Sequence, residues 1–417
     1  MDRFIVEGGK PLVGEIAISG SKNAVLPIFA ATLLADSPCT ITNVPELRDV
    51  KTMLKVLETL GCRTSAAEPG TIVIDPTGVD RFDAPYDLVR TMRASFIVLG
   101  PLLTRYGTAR VSMPGGCAIG VRQVDLHLKG FAAMGAQIET EGGYIKASCP
   151  RLKGAEIYLD FPSVGATENI MLAASMAEGT TVIKNPALEP EIIDLANILI
   201  RMGARIAGAG SKIIEVTGVR RLTGCTHEVM ADRIETGTYA VAAAITHGQV
   251  RLHRAPVAAI QSVIAKLQES GAEVSIGDGW LDVKGPAQIR SVNVTTQPYP
   301  GFPTDLQAPF MAYLTLAKGS STVTERIFEN RFLHAAELGR MGADVRVQNA
   351  SSTIINGVDT LSGAQVMASD LRAGAALVVA ALAAKGSTEI HRVYHIDRGY
   401  VRMEEKLAHL GATIRRE

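Results

Sequence analysis

The sequence lacks the signatures of several large protein classes. Its five cysteines are an odd number, with no Cys-x-x-Cys pair and no histidine-rich metal spacing. This pattern is typical of reduced thiols in a cytosol, and it argues against a disulfide framework and a structural zinc site. Lysine plus arginine and aspartate plus glutamate both number 42, and no block of like charge stands out. We therefore expect no nucleic-acid or membrane-binding face, so any electrostatic function must be local.

Long hydrophobic runs are also missing. The most apolar stretches, such as AALVVAALAA, are far shorter than a membrane span. The N-terminal MDRFIVEGGKPLVGEI has acids and glycines where a signal peptide needs an apolar core. We therefore expect a cytoplasmic protein, and its 417 residues are enough for two domains with separate cores.

A segment typical of the end of an amphipathic helix occurs six times in the chain. Its copies are LETLGCRT, FAAMGAQI, LIRMGARI, LQESGAEV, LGRMGADV and LAHLGATI, and their glycines are 68 to 74 residues apart. A break and a strand-like run precede each copy: ADSPCTIT, RYGTARVS, AEGTTVIK, THGQVRLH, AKGSSTVT and AKGSTEIH. The chain is therefore predicted to contain six repeats of about 70 residues, each with a glycine of positive φ at a helix C-terminus.

The first helix of each repeat is apolar on nearly every face, as in AVLPIFAATLLA and AGAALVVAALAA. A helix of this kind must be buried on all sides. We therefore predict an α/β fold with helices inside and strands outside, arranged as two three-repeat domains with a cleft between them. The repeat phase assigns residues 21–230 to the first domain and residues 1–20 plus 231–417 to the second, although the first strand could belong to either half.

Three of these helices are predicted to begin with a cation, namely Lys22, Arg93 and Arg372. A helix N-terminus is the positive end of the helix dipole, so a cation there is unfavourable by about 0.3 to 1 kcal/mol. Three such placements indicate an anion that binds there, and free N–H groups would add to its capture. Each placement alone is equally compatible with a misjudged helix start or a side chain that points to solvent.

Arginines recur in the middle loops of the repeats. Arg48, Arg331 and Arg398 each stand twelve residues after the break of their repeat, and Arg122 stands in the longer loop of the second repeat. If the loops of the two domains face each other, five cations could converge on a small, multiply charged anion, because a guanidinium suits carboxylate and phosphate alike. They are Lys22, Arg122, Arg331, Arg372 and Arg398. For any single arginine, a solvated salt bridge is the more common arrangement.

Two further residues are candidates for chemistry. Asp305, in YPGFPTD, occupies the place before its helix that Lys22 and Arg93 occupy in theirs. It is either a plain N-cap or a general base that nearby cations keep ionised. Cys117 follows two glycines in MPGGCAIGVR, where the backbone can bend freely and Arg122 would favour the thiolate. A single cysteine is more often an inert core residue.

Several of these segments together resemble one family. SGSKN, PGGCAIGVR, VDLH, FPSVGATEN, EPEIID, YPGFPTD, ENRF and HIDRGYV follow in order from residue 19 to the end of the chain. They resemble the UDP-N-acetylglucosamine 1-carboxyvinyltransferase family of enolpyruvyl transferases. The resemblance implies a two-domain inside-out α/β barrel with its active site in the interdomain cleft. It also implies transfer of the enolpyruvyl group of phosphoenolpyruvate to the 3′-hydroxyl of UDP-N-acetylglucosamine, with release of phosphate.

The resemblance also implies residue roles. Lys22, Arg122 and Arg398 would hold the phosphate of phosphoenolpyruvate, Arg331 and Arg372 its carboxylate, and Asn23 would touch the sugar or the intermediate. Asp305 would be the base on the hydroxyl, and Cys117 the proton donor or product-release group that can become covalently attached to phosphoenolpyruvate. The contacts of the nucleotide sugar would be Arg93, Arg122, Gln123, Val124, Asp125, Leu126, Phe161, Pro162, Ser163, Val164, Asp305 and Ile327.

One departure and two alternatives remain. Gln123 stands where the family commonly has proline, which puts its uracil contacts in doubt. The related transfer to shikimate 3-phosphate would use a similar fold and cation cluster, although the Cys117 loop, FPSVGATEN and HIDRGY favour the sugar nucleotide. A non-catalytic repeat scaffold that binds anions is the other alternative. We expect two small-molecule substrates as partners and no metal or organic cofactor, because cations can neutralise both substrates; the sequence does not indicate an oligomeric state.

Overall fold

The protein is described by a computed structural model that covers residues 2–89, 92–113 and 124–417. The described backbone forms two compact units. The N-terminal unit contains residues 20–89, 92–113 and 124–230, and the C-terminal unit contains residues 2–19 and 231–417. The N-terminal segment thus belongs to the same unit as the C-terminal half of the chain.

The strands are short, most of them with three to six residues. They are β1 (Phe4–Glu7), β2 (Val13–Ala17), β3 (Cys39–Thr42), β4 (Arg63–Glu68), β5 (Thr71–Asp75), β6 (Asp83–Ala84), β7 (Thr108–Ser112), β8 (Gln137–Glu141), β9 (Tyr144–Ser148), β10 (Glu156–Tyr158), β11 (Thr180–Lys184), β12 (Arg205–Ala207), β13 (Ile213–Thr217), β14 (Thr226–Glu228), β15 (Gln249–His253), β16 (Glu273–Gly277), β17 (Trp280–Lys284), β18 (Val294–Thr295), β19 (Ser320–Thr324), β20 (Asp344–Asn349), β21 (Ser352–Asn356), β22 (Gln365–Met367), β23 (Ser387–His391) and β24 (Thr413–Arg416).

The helices alternate with these strands along the chain. They are α1 (Lys22–Thr32), α2 (Arg48–Thr59), α3 (Tyr86–Val89), α4 (Leu99–Tyr106), α5 (Asp125–Ala133), α6 (Val164–Ala174), α7 (Pro190–Arg201), α8 (Arg233–Ile245), α9 (Gln261–Glu269), α10 (Gln307–Leu314), α11 (His334–Arg340), α12 (Leu371–Ala383) and α13 (Met403–His409). Short 3₁₀ helices cover Pro76–Gly78, Arg93–Val98, Val257–Ile260, Thr304–Leu306 and Val393–Arg398.

The six predicted repeats are confirmed by six sheets with one topology. Each sheet has four strands, of which the first pair is parallel and the other two pairs are antiparallel. In the N-terminal unit the strand orders are β14-β3-β5-β4, β6-β7-β9-β8 and β10-β11-β13-β12. In the C-terminal unit they are β2-β15-β17-β16, β18-β19-β21-β20 and β22-β23-β1-β24. Each sheet is open, and no sheet of the described residues closes into a barrel of strands.

The first strand, whose place the sequence left open, completes the last repeat. β1 pairs antiparallel with both β23 and β24, so Phe4 lies opposite Ile390 and Arg416. β2 joins a different sheet of the same unit by pairing with β15. The two ends of the chain therefore meet in one sheet.

The glycines that end the amphipathic helices have the predicted backbone conformation. Their φ angles lie between 91° and 109°, the left-handed region that only glycine adopts without strain, at Gly61, Gly135, Gly203, Gly271, Gly342 and Gly411. Each of them turns the chain from a helix into the following strand.

The apolar helices form the core of each unit, as their sequences predict. In the N-terminal unit α6 contacts both α1 and α4. In the C-terminal unit α8, α10 and α12 contact one another, and every residue of α8 is buried. The buried helices have strands on their outer side, which confirms the predicted α/β class. Among the described residues, we find no helix with both the length and the apolar character that a membrane crossing requires.

Candidate functional site

The cations at the helix starts lie where the sequence predicts them. Lys22 is the first residue of α1, and the Ser21 hydroxyl caps that helix by accepting from the Ala24 N–H at 3.3 Å. Arg372 is the second residue of α12, whose N-cap Asp370 accepts from the N–H groups of Arg372 and Ala373. Arg93 begins the 3₁₀ helix that leads into α4, but its side chain lies outside what the structure describes.

Lys22 has an acidic partner that the sequence did not indicate. Its Nζ lies 3.2 Å from Oδ2 of Asp49, which is buried in the first turn of α2. This ion pair offsets the unfavourable position of a lysine at a helix N-terminus. Asn23 follows in the same turn and is half-buried. Arg48, the first residue of α2, is exposed.

Asp305 lies between two buried arginines of the C-terminal unit. Its Oδ1 accepts from Nη2 of Arg331 at 2.8 Å, and its Oδ2 accepts from Nη2 of Arg372 at 2.9 Å. The side chains of Arg331 and Arg372 are 5% and 2% exposed, whereas that of Asp305 is 25% exposed. Asp305 is therefore the most solvent-exposed of the three side chains. Its carboxylate is held in place by hydrogen bonds from two buried guanidinium groups.

Neighbouring acidic and phenolic groups stabilise the charge of the buried Arg372 guanidinium. Burial lowers its pKa, but Asp305, Tyr400 and Asp232 more than offset this effect, so the pKa of Arg372 is raised above its usual value. The Tyr400 ring lies 5.4 Å from the guanidinium carbon, a cation–π distance. Nε and Nη1 of Arg372 are buried and make no hydrogen bond of good geometry within the described part of the chain, although the Tyr400 hydroxyl lies near enough to raise the pKa of Arg372. Such donors are suited to an anionic ligand, because a buried unsatisfied donor is costly.

The opposite side of Arg331 is also fixed. Its Nη1 donates to the Thr304 hydroxyl at 2.6 Å, and the Phe328 ring lies 5.2 Å from its guanidinium carbon. The Thr304 hydroxyl in turn donates to the buried carboxylate of Glu325 at 2.8 Å. Neither Thr304 nor Glu325 was predicted as a site residue, although Thr304 directly precedes Asp305 in the PTD segment.

His334, the first residue of α11, is buried close enough to Arg331 and Asp370 for their charges to act on it. The pKa of His334 is lowered to about 4, chiefly by burial; Asp370 acts in the opposite direction, and Arg331 contributes to the lowering. Its Nε2 lies 3.2 Å from Sδ of Met311. The imidazole is therefore neutral at physiological pH and adds no charge to the site.

Arg398 and Ile327 belong to the same unit. Arg398 is the last residue of the 3₁₀ helix Val393–Arg398, which packs against α12, and it is half-buried. Its neighbour Asp397 is held by the guanidinium group of Arg416, with Nη1–Oδ2 at 3.1 Å. Ile327 follows β19, and its N–H donates to Glu325 at 2.8 Å. The C-terminal unit therefore contains Arg398 and Ile327 together with Asp305, which contacts Arg331 and Arg372 directly.

The predicted nucleotide-sugar segments of the N-terminal unit lie on two adjacent helices. Val124, Asp125 and Leu126 form the start of α5, while Phe161, Pro162, Ser163 and Val164 form the start of α6. The helices contact each other, and Lys129 pairs with Asp160 at 2.6 Å. Ser163 caps α6 through the Ala166 N–H, and Phe161 is exposed. The predicted contact residues therefore share one region of the unit.

Asn169, in the FPSVGATEN segment, fixes the start of α4. Its Oδ1 accepts from the Gly100 N–H at 2.9 Å, and its Nδ2 donates to the Phe96 carbonyl at 3.3 Å. In a continuous α-helix the Gly100 N–H would donate to the Phe96 carbonyl, so the carboxamide bridges these two groups in place of that one hydrogen bond. The same Nδ2 lies 3.1 Å from Nδ1 of His127. Asn169 therefore ties α5 to the helix that begins at Arg93.

The FPSVGATEN and EPEIID segments also bring acidic groups together. Burial raises the pKa of Glu168 well above its usual range, and Glu191 and Glu189 raise it further. Asp194, in the same EPEIID segment, accepts from the Met230 N–H at 3.0 Å and contacts His227. These groups therefore organise the interior of the N-terminal unit.

Three predicted site residues lie outside the described residues. They are Cys117, Arg122 and Gln123. Within the described ranges, no group of three or more histidine, cysteine, aspartate or glutamate side chains is arranged to hold a metal ion.

The chain is similar to known proteins in family, sequence and structure. A family model described as EPSP synthase (3-phosphoshikimate 1-carboxyvinyltransferase) matches residues 6–407. A protein of Geotalea daltonii named UDP-N-acetylglucosamine 1-carboxyvinyltransferase is 54% identical over 417 residues, covering 100% of this chain and 99% of the relative. A protein of the same name from Shewanella sp. (strain W3-18-1) is 54% identical over 419 residues, with 100% of both chains covered.

Solved structures share the fold over the whole chain. The enolpyruvyl transferase NikO from Streptomyces tendae has a TM-score of 0.90 and 26% sequence identity, with 100% of this chain and 98% of that chain covered. EPSP synthase from Acinetobacter baumannii has a TM-score of 0.78 and 20% identity, with both chains covered completely. This second likeness concerns the fold alone.

Proposed function

The chain belongs to the enolpyruvyl transferase family that includes the UDP-N-acetylglucosamine 1-carboxyvinyltransferases, and from this premise we propose how its residues act. It is a transferase that moves the enolpyruvyl group of phosphoenolpyruvate to the 3′-hydroxyl of UDP-N-acetylglucosamine and releases phosphate. Relatives that are 54% identical over the full length support this acceptor.

The contact of Asp305 with Arg331 and Arg372 carries the proposal. Asp305 accepts the proton of the sugar hydroxyl as its oxygen attacks C2 of phosphoenolpyruvate, while C3 gains a proton. In the tetrahedral intermediate that results, the bond from C2 to the phosphate oxygen then breaks and C3 loses a proton, which restores the double bond. Arg331 and Arg372 bind the carboxylate of phosphoenolpyruvate, and the two guanidinium groups that meet at Asp305 favour this role.

The remaining groups of phosphoenolpyruvate are assigned by the resemblance. Lys22, Arg122 and Arg398 bind its phosphate, and Asn23 contacts the sugar or the intermediate. Lys22 would bind phosphate while it is already paired with Asp49, which holds the ammonium group in one place. Cys117 delivers the proton to C3 or assists product release, and it can become covalently attached to phosphoenolpyruvate.

The nucleotide sugar is proposed to bind at the starts of α5 and α6. Its contacts are Arg93, Arg122, Gln123, Val124, Asp125, Leu126, Phe161, Pro162, Ser163, Val164, Asp305 and Ile327. The adjacency of α5 and α6 supports this assignment, because one ligand could reach both helix starts. The N–H groups at a helix start suit a diphosphate.

The wider biological role follows from the reaction. We propose that the enzyme catalyses the first committed step of peptidoglycan precursor synthesis in the cytoplasm and that it needs no cofactor. The two domains are proposed to be residues 21–230 and residues 1–20 plus 231–417.

Phosphate release with two acceptors tests this function. The purified protein is given phosphoenolpyruvate with UDP-N-acetylglucosamine or with shikimate 3-phosphate, and free phosphate is measured over time. We expect release only with the sugar nucleotide. Release that depends on shikimate 3-phosphate would instead support the acceptor that the family model's description names. No release with either acceptor would support an anion-binding scaffold.

A further inference from the structure

Glu325 is a buried carboxylate next to the site that the proposed mechanism does not use. It follows β19 directly, and only 2% of the residue is exposed. Four hydrogen-bond donors surround it: the hydroxyls of Thr296 and Thr304 and the N–H groups of Ile327 and Phe328. A buried carboxylate is costly unless such donors satisfy it, so this one is built into the structure.

One oxygen of Glu325 organises the backbone that follows it. Oε1 accepts from the N–H groups of Ile327 and Phe328 at 2.8 and 3.2 Å. It also accepts from the Thr296 hydroxyl at 2.7 Å, and that hydroxyl accepts from the Arg326 N–H at 2.9 Å. The carboxylate therefore fixes the turn that carries Ile327 and Phe328.

The other oxygen connects to the ionic cluster. Oε2 accepts from the Thr304 hydroxyl, and a hydroxyl has only one hydrogen to donate. The lone pairs of Thr304 are thereby turned toward Nη1 of Arg331, which lies 2.6 Å away. Arg331 reaches Asp305 with its other terminal nitrogen. A continuous chain of hydrogen bonds thus runs from Glu325 through Thr304 and Arg331 to Asp305.

We propose that Glu325, acting through Thr304, is a positioning residue that holds Arg331 in the orientation needed to bind phosphoenolpyruvate and to orient Asp305. This inference rests on the proposed function. Without the Thr304 acceptor, Nη1 of the buried Arg331 loses its partner, and the guanidinium can turn to pair with both oxygens of Asp305. That turn would remove a donor from the substrate carboxylate and add a second guanidinium hydrogen bond to Oδ2 of Asp305, which Arg372 already contacts.

Two threonines of the same network provide a matched comparison. Thr296 and Thr304 each donate a hydroxyl to Glu325, but within the described hydrogen bonds only Thr304 contacts Arg331. Replacing either with valine preserves shape and removes one hydroxyl. A merely structural role would give both variants similar effects, whereas a positioning role makes the Thr304 variant kinetically distinct.

The experiment measures steady-state phosphate release by the full-length protein, with KM for each substrate determined separately. We expect Thr304→Val to raise the KM for phosphoenolpyruvate by about 10- to 100-fold, the range for loss of a hydrogen bond to a charged group. The KM for UDP-N-acetylglucosamine should change much less. Thr304→Ser should restore the wild-type values, and Thr296→Val should stay close to them even if its melting temperature falls.

Several outcomes would overturn the inference. Equal kinetic changes in Thr304→Val and Thr296→Val, or a normal KM for phosphoenolpyruvate in folded Thr304→Val, would show a structural role. If Thr304→Val does not fold, Glu325→Gln is measured instead, because glutamine keeps the volume but replaces one acceptor by a donor. Its KM for phosphoenolpyruvate should then rise much more than its KM for UDP-N-acetylglucosamine. Absence of wild-type turnover would overturn the proposed function and this inference with it, whereas the variant results overturn the inference alone.

Discussion

Nη2 of Arg372 lies 2.9 Å from Oδ2 of Asp305, across 67 residues of sequence. Arg372 is the second residue of α12, and Asp305 stands in the 3₁₀ turn that leads into α10, so the starts of two buried helices contribute the two partners of one ion pair. The repeated fold therefore brings complementary charges together at the ends of neighbouring buried helices.

Arg372→Lys should impair turnover strongly although it keeps the positive charge. The guanidinium group of Arg372 donates to Asp305 through Nη2 and has two further nitrogens, Nε and Nη1, whereas a lysine has a single nitrogen and cannot replace all three. We expect kcat/KM for phosphoenolpyruvate to fall by about 100-fold, as for loss of a bidentate charged contact. The measurement is phosphate release, with circular dichroism as the folding control. A lysine variant with wild-type kcat/KM would contradict the assigned role.

Asn169→Leu should destabilise the N-terminal unit. The substitution leaves the buried Gly100 N–H without its partner, which costs about 1–3 kcal/mol, whereas the Phe96 carbonyl still accepts from the Leu99 N–H. In a unit of about 200 residues, each kcal/mol lowers the melting temperature by about 2–4 °C. Differential scanning calorimetry measures this change. An unchanged melting temperature would show that the helix closes its own hydrogen bond when the carboxamide is absent.

Stability should fall between about pH 6.5 and about pH 4 because His334 is buried. Its pKa is about 4 in the folded protein, against 6.5 when unperturbed, so the unfolded chain takes up a proton first as the pH falls. His334 therefore contributes stability above pH 6.5 that is lost toward pH 4, with a slope of at most about 1.4 kcal/mol per pH unit.

His334→Gln provides the control for this pH dependence. We expect the difference in melting temperature between pH 7 and pH 5 to be smaller in the variant than in the wild type, because glutamine does not titrate. The comparison is made by thermal denaturation in buffers of equal ionic strength. An identical difference in both proteins would mean that His334 titrates normally in the folded state.

The described cysteines should differ in their reactivity toward iodoacetamide. Burial raises the pKa of Cys62 to about 12, whereas the hydrogen bond with Cys39 lowers the pKa of the half-buried Cys225. Since the thiolate is the nucleophile, native protein at pH 8 should be alkylated at Cys225 and protected at Cys62. Peptide mass spectrometry locates the label, and protein denatured before labelling serves as the control. Faster alkylation of Cys62 than of Cys225 would contradict these environments.

Much of the fold could be predicted because its signals are local. The apolar character of α1 and α12 on every face requires burial, and Gly61 and Gly411 mark helix ends through their positive φ. The pairing of β1 with β23 and β24 could not be predicted. A strand pattern shows which face is apolar, but it does not identify a partner almost 400 residues away.

The site was predicted in part for the same reason. Unusual charges at helix starts identified Lys22, Arg372 and Asp305 as candidates, because such charges conflict with or complement the helix dipole. Asp49 and Glu325 carried no comparable signal. Their importance comes from the tertiary contacts with Lys22 and Thr304, and an isolated acid in a sequence resembles any solvated surface residue.

The turnover of Asp305→Asn tests the central claim most directly. Asparagine keeps the shape and can still contact the sugar hydroxyl, but it cannot accept its proton. We predict that the variant still binds UDP-N-acetylglucosamine in isothermal titration calorimetry, whereas its rate of phosphate release falls by about 100-fold or more, the usual contribution of a general base. A variant that binds the sugar nucleotide and releases phosphate at the wild-type rate would contradict a catalytic role for the carboxylate held by Arg331 and Arg372.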